Sequence, residues 1–172
     1  KRQVKKRSSS EPVPPHEMKL IKHIIANQKV ITVEPTSTLN EALHLMLTNH
    51  IRHLPVVQHG QLVGVLTDRD IRLASSSPVL SPEIKIVDNV KQLSLHRVSE
   101  AMSRNVLTIA ENDTILDACK VMSMSKRGCL PVTKKNDDRK LVGIVTRSAM
   151  LDHLIRLMEP LEDISSSTTA RE

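Results

Sequence analysis

The chain contains an internal duplication, and this feature constrains its fold more than any other. Residues 30–56 align with residues 106–132 at an offset of 76 positions, so that VITVEPTSTLNEALHLM faces VLTIAENDTILDACKVM and Leu-Pro-Val occurs in both. After three extra residues in the loop at 134–140, the alignment resumes at an offset of 79, where LVGVLT faces LVGIVT. One unit of this size buries little apolar surface, so the duplication predicts two repeats that pack together.

Each copy has the pattern of a strand followed by an amphipathic helix. The β-branched run Val30–Val33 predicts a short strand. Thr38 and Glu41 have the spacing of a capping box, and Thr114 and Asp117 repeat it. Behind each box, apolar side chains recur at helical spacing: Leu39, Ala42, Leu43, Met46 and Leu47 in the first copy, and Ile115, Ala118, Cys119 and Met122 in the second.

The second part of each copy predicts a hairpin and a further helix. The runs Leu54–Val57 and Leu62–Thr67 are strand-like, and His59-Gly60 between them indicates a tight antiparallel turn. Helices are predicted from Asp68 and from Arg147, the latter with an apolar stripe at Met150, Leu151, Leu154, Ile155 and Met158. The order β-α-β-β-α, present twice, predicts a mixed α+β fold in which the two repeats pack sheet to sheet about a pseudo-two-fold axis.

Composition separates the folded part from its flanks. Six Lys or Arg against Glu11 and Glu17 in residues 1–19 supply +4 of the net charge of +6. We therefore expect a basic, disordered extension at 1–19, repeats at 20–74 and 97–158, a linker at 75–96 and a flexible tail at 159–172. The basic arm leaves nucleic-acid binding open as a less favoured hypothesis. The chain has no Phe, Tyr or Trp on which a single-stranded base could stack.

Several function classes find no support in the sequence. Two cysteines, Cys119 and Cys129, make no disulfide framework, and no signal peptide or membrane-spanning run is present, so a cytoplasmic location is expected. His50 and His53 are a close pair without further ligands at metal-binding spacing, so no metal site is predicted. The sequence shows no nucleotide-hydrolase loop, nucleophile elbow or paired carboxylates, and we expect no enzymatic activity.

The segments IRHLPVVQHGQLVGVLTDRDIR and RGCLPVTKKNDDRKLVGIVTRSAM resemble the cystathionine-β-synthase-type (CBS) domain. The tandem arrangement over residues 20–158 is similar to a CBS domain pair, also called a Bateman module. The run TDRDIRLASSSP resembles stand-alone bacterial CBS proteins of the acetoin-utilisation B type. The resemblance implies a regulatory module that binds an adenine nucleotide between its repeats and associates into a homodimer.

The resemblance also implies a site at the end of the second hairpin strand. Gly64, Thr67 and Asp70 match the family's Gly-x-x-Thr-x-x-Asp element, in which the Asp holds the ribose hydroxyls. Gly permits close approach of the backbone, and a hydroxyl at a helix start suits a phosphate. The alternative is that Thr67 or Asp68 only caps the helix while Asp70 pairs with a neighbour.

The remaining site residues are assigned by the same resemblance. The base is expected against Ile31, Leu54, Pro55 and Val56, although all four also suit an ordinary core. Lys126 and Arg127 are expected to face the phosphates across the cleft, unless they are solvated loop charges.

The second copy departs from the pattern, because Ala149 stands where the first copy has Asp70. We therefore expect one good nucleotide site and a weaker second cleft at Thr146, Arg52 and His53. AMP, ADP or ATP is the expected ligand, with S-adenosylmethionine or NAD less favoured and no cofactor required. The alternative function is a dimerisation scaffold without ligand.

Overall fold

The computed structural model describes residues 20–75, 91 and 93–156, and these form two similar α+β halves. The helices are α1 (Ile21–Ile25), α2 (Leu39–Thr48), α3 (Asp68–Ser75), α4 (Val98–Ala101), α5 (Ile115–Ser125) and α6 (147–156). The strands are β1 (His53–Gln58), β2 (Gln61–Thr67), β3 (Ile109–Ala110), β4 (Cys129–Lys134) and β5 (Asp137–Thr146). The predicted basic extension and C-terminal tail, Met158 and most of the predicted linker lie outside the described residues.

The predicted hairpins are present in both halves. β1 pairs antiparallel with β2, and the turn between them has positive φ at His59 and Gly60 (50° and 76°), which matches the twist of a two-residue hairpin. β4 pairs antiparallel with β5. These hairpins place Thr67 and Thr146 at equivalent strand ends.

The strand that should precede each hairpin is shorter than predicted. In the first half only Val33 pairs, in a parallel bridge with Val56, so the predicted strand over Val30–Val33 is wrong in extent. In the second half β3 keeps two residues, parallel to β4. Pro35 follows Val33 within two residues, and Pro lacks the N–H with which a strand would continue.

The helix starts follow the sequence closely, because both capping boxes form. Thr38 Oγ1 accepts from the Glu41 N–H at 3.1 Å, and the Thr38 N–H donates to Glu41 Oε2 at 2.8 Å. Thr114 and Asp117 repeat both bonds at the start of α5. The apolar stripes are buried only in part, since Leu47 in α2 and Leu151 in α6 are 65% and 61% exposed.

The two halves exchange the segments that precede them. Ile21 and Ile25 of α1 belong to the core of the second half, whereas Leu93, Val98 and Met102 belong to the core of the first half. β2 also contacts β5, and Val65 exchanges two backbone hydrogen bonds with Ser103. The halves are therefore joined by contacts between their sheets and by the exchanged segments. As a result, residues of both halves line the space between them.

Candidate functional site

Thr67 and Asp70 are joined at the junction of β2 and α3. The Thr67 N–H and hydroxyl both donate to Asp70 Oδ2, at 2.8 and 2.7 Å, and the Asp70 N–H donates to Thr67 Oγ1 at 3.2 Å. The capping role that the sequence left open is thus present. It occupies only one carboxylate oxygen, because Oδ1 has no hydrogen-bond partner within the described residues.

A cleft of about 700 Å³ opens beside this junction. Its walls come from both halves: Thr67 and Asp70 lie on one side, and Lys126, Arg127 and Pro131 on the other. The volume lies within the range of roughly 300–1,000 Å³ that is usual for small-molecule sites. The structure therefore brings Asp70, which the sequence assigned to a ribose, to the same cleft as Thr67, Lys126 and Arg127, which it assigned to phosphates.

Cationic side chains dominate the rim of this cleft. Lys126 and Arg127 lie in the loop between α5 and β4, and Arg147 lies beside them at the start of α6. None of these three side chains forms an ion pair with a carboxylate of the described residues. Asp68 forms an ion pair with Arg72 at 2.7 Å, which partly neutralises the negative charge that Asp68 brings to the cleft. This distribution favours an anionic ligand.

Arg52 and His53 line the same cleft, which corrects their assignment to a second one. The reason is the hairpin register: His53 pairs with Thr67, so the residues that enter β1 lie beside the end of β2. Burial lowers the pKa of His53, and Asp68 opposes this shift. The imidazole of His53 is therefore harder to protonate than that of an exposed histidine.

The residues predicted for the base lie elsewhere. Leu54, Pro55 and Val56 are fully buried in the structure, and Ile31 is half-buried against the core of the first half. In their place the cleft is lined by Leu107 and Pro131, which are the counterparts of Ile31 and Pro55 in the second repeat, together with Val106. The cleft beside Asp70 is thus lined by these positions of the second copy, because the crossed packing decides which copy faces Asp70.

Gly64 is not among the residues that line the cleft. It is buried, and a Cβ atom built on it would lie 2.6 Å from Met102 Sδ. Gly64 therefore permits a close approach to Met102, which lies in the segment that precedes the second half and packs in the core of the first.

The equivalent position in the second half lacks the acid. Thr146 Oγ1 accepts from the Ala149 N–H at 3.2 Å, which preserves the helix start without a carboxylate. Beside it, the Gln28 side chain spans the edge of β5: its amide donates to Ile144 O at 2.9 Å, and its carbonyl accepts from the Ile144 N–H at 2.8 Å. Because Ala149 has no carboxylate, Thr146 has no acidic neighbour equivalent to Asp70 at this position.

Other chemistries are represented weakly in the described part of the chain. Cys129 lies at the cleft, and burial raises the pKa of its thiol to about 11, so it is a poor nucleophile. Residues 20–75, 91 and 93–156 contain no cluster of three or more His, Cys, Asp or Glu able to hold a metal ion. Over the same residues, no helix has the length and apolarity needed to cross a bilayer.

The fold and the cleft define a class: a module of two α+β repeats with a ligand-sized site between them. A family model of the CBS domain matches residues 21–77 and 98–156, and the chain belongs to the CBS domain family. A CBS domain-containing protein of Dictyostelium discoideum is 39% identical over 145 residues, which cover 84% of this chain and 97% of that protein. The chain spans only 36% and 43% of two further curated relatives, both from Methanocaldococcus jannaschii.

Solved structures show the same architecture. An acetoin utilization protein (AcuB) from Vibrio cholerae has a TM-score of 0.66 and 30% identity, and the match covers 84% of this chain and 96% of that one. The CBS domain pair of protein MJ0100, in complex with 5-methylthioadenosine and S-adenosyl-L-methionine, has a TM-score of 0.63 and 28% identity over 82% of this chain and 96% of that one. The predicted fold, a mixed α+β pair of CBS repeats, is confirmed by these similarities.

Proposed function

We propose that this chain is a regulatory module that binds AMP, ADP or ATP in the cleft between its repeats. The observation that carries the proposal is the meeting of Asp70 and Thr67 from one half with Lys126 and Arg127 from the other across a single cleft. A carboxylate with an unshared oxygen suits a ribose diol, and arginine suits a phosphate because its planar group binds two oxygens at once.

The remaining walls fit the rest of such a ligand. Val106, Leu107 and Pro131 provide aliphatic surface for a base, and the chain has no aromatic residue that could do so. Arg52 and His53 add donors on the phosphate side. S-adenosylmethionine, whose sulfonium is a cation, is disfavoured beside so many positive side chains, and NAD has more bulk to place.

A regulatory role follows from where the ligand would sit. It would contact both repeats, so its binding energy would favour the relative placement of the halves in which all contacts are made at once. Catalysis is not proposed, because Cys129 is held as a neutral thiol and the carboxylate of Asp70 is tied to the helix start.

Isothermal titration of the full chain with AMP, ADP and ATP tests the proposal. We expect saturable binding of about one nucleotide per chain, since Ala149 replaces the acid in the second cleft. Absence of binding by all three nucleotides would refute the proposal.

A dimerisation scaffold is the second candidate, and the packing of α5 and α6 favours it. A groove of about 420 Å³ between these helices is lined by apolar side chains such as Met122, Leu151 and Leu154, of which Leu151 is 61% exposed. Apolar surface of this kind is typical of an interaction face. We propose that a second copy covers it in the reducing cytoplasm, where Cys119 and Cys129 would remain free thiols.

Light scattering after chromatography separates the two candidates. Leu151→Asp is expected to give a monomer without abolishing nucleotide binding, whereas Asp70→Ala is expected to keep the dimer and lose the nucleotide. A chain that dimerises and binds no adenine nucleotide would be a scaffold only.

A further inference from the structure

Arg147 contacts the three consecutive carbonyls of the loop that carries the cleft cations. Its backbone N–H donates to Gly128 O at 3.1 Å, its Nε donates to Arg127 O at 3.1 Å, and one Nη donates to Lys126 O at 2.9 Å. A single residue therefore fixes the peptide groups of both Lys126 and Arg127. Sequence reasoning missed this residue, because its partners are backbone atoms about 20 positions away.

The loop has a physical reason to need such a contact. Lys126 ends α5 in the left-handed conformation, with φ at 58°, which is unfavourable for a residue with a side chain. The carbonyls at a helix C-terminus also carry partial negative charge, and these carbonyls belong to residues that line an otherwise cationic cleft. A guanidinium bonded to two of them offsets that charge where an anion would approach.

The first half shows that the backbone bond between the helix start and the preceding loop forms without a guanidinium. At the position equivalent to Arg147, the Asp68 N–H donates to Arg52 O at 3.1 Å, so the backbone bond is shared by both repeats. The Asp68 side chain instead pairs with Arg72 at 2.7 Å. The two side-chain hydrogen bonds of Arg147 thus occur only in the half whose loop faces Asp70. The other half forms the same backbone geometry without them.

We infer that Arg147 is a positioning residue for the phosphate end of the ligand: it holds the loop of Lys126 and Arg127 so that both cations face the cleft. This inference rests on the proposed function and deepens it, because it predicts that the loop of Lys126 and Arg127 contacts the phosphates and not the ribose. The ligand class is accordingly a 5′-phosphorylated adenosine.

The test compares the binding of ADP with that of adenosine to the 172-residue chain by isothermal titration. Arg147→Lys keeps the charge but cannot bond both carbonyls in the same geometry. We expect it to weaken ADP binding about fivefold while adenosine affinity stays unchanged, a change in the range of one ordinary hydrogen bond. Arg139→Met is the control, since Arg139 is an exposed cation at the far end of β5 whose side chain makes no hydrogen bond or ion pair within the described residues.

A double-mutant cycle separates positioning from direct contact. In a Lys126→Met/Arg127→Met background, Arg147→Lys is expected to cause no further loss of ADP affinity, because the cations it positions are gone. Full additivity would overturn the inference in favour of a direct phosphate contact, and an equal loss of adenosine binding would overturn it in favour of a purely structural role.

The failure of this inference is distinguishable from that of the proposed function. If the unchanged protein binds ADP and Arg147→Lys binds it equally well, only the positioning role is refuted. If the unchanged protein binds no adenine nucleotide, the proposed function is refuted and the positioning role with it.

Discussion

Replacement of Asp70 by Ala probes the two roles that this carboxylate combines. In the structure Oδ2 accepts from the Thr67 N–H and hydroxyl, while Oδ1 is left for a ligand. Loss of the cap bond to the backbone is expected to cost about 1 kcal/mol of unfolding free energy. For a chain of this length that corresponds to a fall in melting temperature of roughly 2–4 °C.

The ligand role predicts a much larger effect on affinity. Two ribose hydroxyls donating to a carboxylate contribute about 1.5 kcal/mol each at the low end, so Asp70→Ala should weaken nucleotide binding by roughly 100-fold. The melting temperature measures the first role by scanning calorimetry, and titration with ADP measures the second.

The second repeat supplies a matched control. Asp117 makes the same bonds with Thr114 as Asp70 makes with Thr67, including a hydroxyl that donates to Oδ2 at 2.6 Å, but it is not among the residues that line the cleft. Asp117→Ala should therefore lower the melting temperature as well and leave ADP affinity unchanged. If both variants bind ADP as tightly as the unchanged protein, Asp70 is a helix cap only and the reasoning is refuted.

Three further outcomes are expected. A phosphate beside His53 would raise the pKa that burial has lowered, so ADP affinity should increase as pH falls from 8 toward 6. His53→Gln should lose this increase, whereas His59→Gln, in the exposed turn, should keep it. Comparison of the two variants removes the contribution of the phosphate's own titration, which is the same in both. Gly64→Ala should destabilise the protein by about 1–3 kcal/mol in urea unfolding, because the new methyl group would meet Met102 Sδ at 2.6 Å; an unchanged midpoint would show that Met102 moves aside freely. Cys129, with a pKa of about 11, should resist alkylation at pH 8 in the folded protein and react on unfolding, as followed by mass spectrometry; rapid modification without unfolding would contradict its burial.

Local features of the fold were predictable from the sequence. The capping boxes at Thr38 and Thr114 and the hairpin turn at His59-Gly60 depend on residues within four positions of each other, and the structure has them where the pattern put them. The starts of α3 and α6 follow for the same reason.

Features that depend on distant contacts were not predictable. Nothing in the sequence of α1 shows that Ile21 would pack in the core of the second half, or that Leu107 and not Ile31 would face Asp70. Periodicity likewise marks Leu151 as apolar without showing that no described residue covers it. The repeat boundaries at 20–74 and 97–158 and the individual ligand contacts stay predictions.

A crystal structure of the full chain grown with ADP tests the account most directly. It should show one nucleotide per chain, with the ribose hydroxyls against Asp70 and the phosphates against Arg127. Nucleotide density at any other place, or a cleft that remains closed to ADP at saturating concentration, would contradict the account.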